Sequence, residues 1–239
     1  IMISALLLFA ALTRCSNAYV LSPHTHYQQH PQRRFIPCPL YYMDDLYDQD
    51  VASAVALPSI HQVSSDSFTD QTYYASTLVS ELLDKESPEL LQDLMTAQLS
   101  HRDGIRGFFA VYLARESPDE IPLILTKAMK GVDMEKLAPL ACRNVIQPAV
   151  MACWHCDPVL KENSSKTAER AKTFLRSIQG SMNVMKNIEA VYAVASGSSR
   201  GARSENKLEL FWEAVFQEGG YDQEQRKAIA AAFASFVHP

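Results

Sequence analysis

The sequence predicts an all-α protein: a helical bundle containing a kinked, Pro-containing helix, followed by a C-terminal helical pair. Three observations carry this expectation. Apolar residues recur in steps of three and four from Asp70 to the C-terminus, cap and breaker residues bound the periodic stretches, and no stretch shows strand alternation between turn signals.

The first periodic stretch runs from Asp70 to Glu86, with Tyr74, Leu78, Leu82 and Leu83 on one stripe. Ser87-Pro88-Glu89-Leu90 then signals a helix start, with Ser as N-cap and Pro in the first turn, and Leu90, Leu91, Leu94 and Leu99 continue an amphipathic face. Phe108-Phe109-Ala110-Val111-Tyr112-Leu113 is apolar nearly all round, which places it at the centre of a bundle. Gly104 and Gly107 just before it cost helix stability, so they mark a turn or a close helix crossing. Ser117-Pro118-Asp119-Glu120 caps a short helix from Ile121 to Lys130, closed by Gly131.

Asp133 to Cys156 carries Leu137, Leu140, Val145, Ile146, Val150 and Met151, interrupted by Pro139 and Pro148, each of which removes a backbone donor. The expectation is a fresh helix from Pro139 and a kink at Pro148. Asp157-Pro158 ends that unit, and Ser164 or Ser165 caps one long helix, Thr167 to Val194, with apolar steps sustained for about seven turns. Ser196 to Ser204 is a Gly/Ser linker. Leu208 to Trp212 opens a helix ended by Gly219-Gly220, and Asp222 caps the last helix through Ile229, Phe233 and Phe236. The bundle is thus expected over residues 70–195 and the C-terminal pair over 205–239. Residues 44–69, Ser-rich and without a period, are expected to be an extended or disordered approach.

The N-terminus has a different character. The first forty-three residues contain no Asp or Glu, and Ile3 to Leu12 is an apolar run of signal-peptide length, too short to span a bilayer. Ser16-Asn17-Ala18 offers a small-x-small cleavage site, giving a signal peptide over residues 1–18. From Tyr19 to Met43 the charges are Arg33 and Arg34 alone, a transit-peptide composition over residues 19–43. Asp44, Asp45, Asp48 and Asp50 then arrive together. An ordinary secretory signal before a secreted N-terminus is the competing reading. Gln32-Arg33-Arg34-Phe35 has the look of a twin-Arg signal, but Pro37 and Pro39 break the apolar run after it, which favours a stromal destination over a lumenal one.

The formal charge is −5, and removing Arg14, Arg33 and Arg34 with the leader leaves a more acidic remainder. That balance argues against nucleic acid as the ligand, because phosphate binding needs concentrated Lys and Arg. No run after the leader has the ~18 apolar residues that a membrane helix requires. With Cys15 and Cys38 in the leader, Cys142, Cys153 and Cys156 remain, an odd number that suits a reducing compartment better than a disulfide scaffold.

Cys153-Trp154-His155-Cys156 is the one local motif with chemical reach. A C-x-x-C pair forms a redox disulfide, and with Cys142 and His155 it offers zinc three sulfurs and a nitrogen. Two small buried thiols on a helix face explain the same residues. His101, Arg102, Asp103 and Arg106 form a charged cluster that helix capping and surface pairing also explain. Arg200 and Arg203 sit on the linker without a P-loop. No nucleophile–His–acid arrangement, di-iron pair or G-x-S-x-G elbow is present, so no catalytic residue is assigned. Tyr41, Tyr42, Tyr47, Phe211 and Trp212 are candidate interface anchors, since aromatics dominate interface energetics. Plain core packing is the alternative for Phe211 and Trp212.

Ser16-Asn17-Ala18-Tyr19 resembles the signal–transit junction of diatoms and related algae with red-lineage plastids, where an aromatic directs the chain into the plastid. Two internal segments, Gly104 to Leu113 and Asn144 to Met151, resemble small helical plastid proteins of algae, a similarity covering residues 70 to 195. Together these look like the accessory subunits of diatom photosystem–antenna supercomplexes. The resemblance implies a non-enzymatic subunit on the stromal face of the thylakoid, bound to photosystem I and its fucoxanthin–chlorophyll antenna. Chlorophyll and carotenoid would then lie in the partner subunits, with no cofactor in this chain. The alternatives are a soluble stromal enzyme or thiol-regulated factor switched through Cys153 and Cys156, and an assembly factor.

Overall fold

The computed structural model describes residues 57–83, 89–115, 120–198 and 206–238, and the regular structure among them is helical throughout. The helices are α1 (Ile60–Ser65), α2 (Phe68–Leu83), α3 (Glu89–Leu99), α4 (Arg102–Tyr112), α5 (Leu123–Met129), α6 (Met134–Trp154), α7 (Pro158–Ile178), α8 (Met182–Ser196), α9 (Lys207–Glu218) and α10 (Gln223–Val237). The start signals at Ser87-Pro88 and Ser117-Pro118 lie outside the described residues, as does most of the Ser196–Ser204 linker.

Part of the stretch expected to be extended is helical. Ser59 and Gln62 form a capping box at the start of α1: the Gln62 N–H donates to Ser59 Oγ at 3.3 Å and the Ser59 N–H to Gln62 Oε1 at 2.9 Å. α1 is too short to show a period, so only the cap betrays it.

α2 and α4 are the most closely packed pair of the N-terminal half, and α3 bridges from α4 to α5 and α1. Both glycines before the Phe-rich segment lie inside α4, not in a turn, and the close-crossing expectation holds. A Cβ on Gly107 would lie 2.7 Å from the carbonyl carbon of Gln71 in α2, so the two backbones touch there. Gly107→Ala is therefore expected to destabilise the fold by about 1–3 kcal/mol, as overpacking of a fixed backbone contact does. Urea unfolding reads this directly, and an unchanged midpoint would contradict so tight a crossing.

α6 is one continuous helix through both prolines, capped by Asp133, whose Oδ1 accepts from the Glu135 N–H at 2.9 Å. The fresh start expected at Pro139 does not occur. Leu137, Ala138, Ala141 and Cys142 around it are all buried, and that packing offsets the lost hydrogen bond.

The long helix expected from Thr167 to Val194 is two helices. Asp157-Pro158 begins α7 rather than merely ending α6, and the helix stops at Ile178. The segment Gln179–Gly180–Ser181 turns the chain, and α8 then runs to Gly197, whose φ of 73° is the left-handed cap conformation that glycine adopts without strain. Because of this break α7 and α8 both pack on α6. Helices α9 and α10 each pack onto α8, α10 also onto α6, and the two meet through Arg226, 3.2 Å from Glu213.

One buried cluster runs from Val63 to Phe236 and includes Phe108, Phe109, Val111 and Leu113, the residues expected at the centre. Its middle is aromatic. Phe174 of α7 stands edge-on to Phe109, with ring centroids 4.8 Å apart, and lies 6.1 Å from Phe108 and 6.2 Å from Tyr112. Beside it the Arg170 guanidinium donates to the Leu113 carbonyl at 3.0 Å, satisfying an end of α4 with a side chain from α7. This seam joins α1–α5 to α6–α10.

Candidate functional site

The C-x-x-C motif occupies the corner between α6 and α7. α6 ends at Trp154, and the N–H of His155, its C-cap, donates to the Met151 carbonyl at 2.9 Å. Two residues on, Asp157 caps α7: its Oδ1 accepts from the N–H groups of Val159 at 2.8 Å and Leu160 at 3.3 Å, with Pro158 at the first helical position. Cys153 therefore sits in the last turn of one helix and Cys156 immediately before the cap of the next. Both thiols are exposed and free.

Large apolar side chains lie close to them along the chain. Trp154 is 66% exposed, Val159 64%, and Leu160 is also exposed. The Trp154 and His155 rings lie 6.4 Å apart. Sequence periodicity misses Val159 and Leu160 because it treats Asp157-Pro158 as a stop. The same dipeptide is also an N-cap followed by proline at the first helical position, which is a start signal.

Cys142 is not part of this corner. It is buried in the middle of α6, eleven residues before Cys153, or about 16 Å along the helix axis at the standard rise. Burial pushes its thiol pKa up, which keeps it protonated and inert. The proposed set of Cys142, Cys153, His155 and Cys156 is thus not brought together. Among the described residues, no group of three or more His, Cys, Asp or Glu side chains is placed to hold a metal ion. The buried-thiol alternative for Cys153 and Cys156 does not hold, because both are exposed.

The aromatic anchor candidates divide. Phe211 is 40% exposed on α9, next to exposed Leu210. Trp212 is fully buried, and its indole N–H donates to Asn187 Oδ1 of α8 at 3.1 Å, so it belongs to the core and is no interface anchor. Tyr41, Tyr42 and Tyr47 lie outside the described residues, as do Arg200 and Arg203.

The charged cluster before the Phe-rich segment is structural. His101 is the N-cap of α4, accepting from the Gly104 N–H at Nδ1, while Nε2 stands 2.6 Å from the Val63 carbonyl of α1. Arg106 pairs with Asp103 at 3.0 Å and lies over the Phe68 ring. On α6, burial lowers the Arg143 pKa, with Glu218 acting the other way.

A family model matches residues 67–236, from the α1–α2 junction into α10, under the description Uncharacterised conserved protein UCP020893. The chain belongs to that family. The UCP020893 span takes in α4, the Phe174 seam and the whole α6–α7 corner, and it excludes α1 and the acid-free leader. No curated protein and no solved structure matches the chain.

Proposed function

We propose that this chain is a non-enzymatic accessory subunit on the stromal face of the thylakoid membrane, held by protein–protein contacts to photosystem I and its fucoxanthin–chlorophyll antenna. The observation that carries this reading is the N-terminal composition: an apolar run, a small-x-small site followed by Tyr19, and no acidic residue before Asp44. The folded part supports it with apolar side chains available for contacts. Trp154, Val159 and Leu160 stand at the α6–α7 corner, and Leu210 and Phe211 on α9. No helix among the described residues is long and apolar enough to cross a membrane, so in this reading attachment runs through partner surfaces.

Sucrose-gradient fractionation of solubilised thylakoids tests the proposal. The mature chain is expected to sediment with the photosystem I–antenna band. Recovery solely in the free stromal pool would overturn it.

A further inference from the structure

We propose that Cys153 and Cys156 form a reversible dithiol–disulfide site that staples the α6–α7 corner. The site does not rest on the accessory-subunit reading. Both thiols are free and exposed, and the other described cysteine, Cys142, is buried far along the same helix.

The two thiols flank the point where the chain leaves the helix. Trp154 is helical and His155 is extended, with φ −66° and ψ 127°. Disulfides bridge Cα separations of about 4.4–6.8 Å, so closure requires the corner to hold the Cys153 and Cys156 Cα atoms within that range. The Asp157 cap of α7 lies outside the ring that forms, while the α6 cap bond to the Met151 carbonyl is donated by His155 from within it.

The oxidant is a disulfide-bearing molecule of the R–S–S–R class. The thiolate of one cysteine attacks it, the S–S bond breaks, and RS⁻ leaves and takes up the proton that the cysteine gave up. The second cysteine's thiolate attacks the protein-side sulfur of the mixed disulfide and expels the second RS⁻. Two cysteine thiols lose two electrons and two protons, and the oxidant gains both as two RSH. The product encloses Trp154 and His155 in a small ring, fixing the most exposed aromatic of the corner.

The full chain, purified reduced, is incubated with excess glutathione disulfide, quenched with an alkylating agent and read by peptide mass spectrometry. The expected result is loss of both alkylatable thiols at Cys153 and Cys156, a linked peptide lighter by two hydrogens, and full return on adding dithiothreitol. Cys142 is expected to react only after denaturation. Cys153→Ser and Cys156→Ser are each expected to stop at the glutathione adduct. A wild-type chain that stays reduced, accumulates unresolved adducts, or pairs either thiol with Cys142 would overturn the proposal.

Discussion

Phe174→Ala is expected to lower the free energy of unfolding by about 3–5 kcal/mol, the range for truncating a fully buried Phe. Phe174 is 0% exposed, and its ring meets those of Phe108, Phe109 and Tyr112. Truncation therefore leaves a cavity on the seam between the two halves and removes aromatic pairings worth about 0.5–1.5 kcal/mol each beyond their area. Urea denaturation followed by circular dichroism measures the loss. A shift below about 1 kcal/mol, the scale of an average point mutation, would show that the halves do not depend on this contact.

Trp212→Ala is expected to cost a similar amount, about 3–5 kcal/mol, for a different mix of reasons. The indole fills a closed site between α8 and α9, and its loss also leaves Asn187 Oδ1 buried without its donor. Trp212→Phe separates the terms. It keeps most of the ring volume and loses the N–H, and the unsatisfied acceptor alone is worth about 1–3 kcal/mol. Were Trp212 a partner anchor, its replacement would weaken complex formation and leave the unfolding midpoint of the isolated chain unchanged.

The helical class was legible because period, caps and breakers agree along most of the chain. Structure and sequence pattern part where one local signal has two physical meanings. Ile178 and Met182 stand four apart, so the apolar stripe runs straight through Gly180, yet Met182 is exposed and contributes no core contact there. Pro139 reads as a break only if burial around it is unknown. Phe211 and Trp212 are adjacent rings about 100° apart on a helix, and composition does not say which faces inward. The C-x-x-C corner was visible as a motif, but its exposure was not, because that depends on α6 ending at Trp154. Exposed Val159 and Leu160 escape the sequence reading because Asp157-Pro158 reads as a stop although it also starts α7.

The short helix α1 lies before the UCP020893 span, and six residues do not hold a helix in water unaided. Two of its carbonyl groups are occupied by side chains from within that span: Gln71 Nε2 donates to Gln62 O at 3.3 Å, and His101 Nε2 reaches Val63 O. Because His101 Nδ1 accepts from the Gly104 N–H, the hydrogen of the neutral ring resides on Nε2, and one tautomer serves both helices. Val63 in turn is completely buried in the common core. The packed unit therefore begins earlier than the recognisable sequence signature does, and residues 57–66 are expected to melt together with the family span they precede.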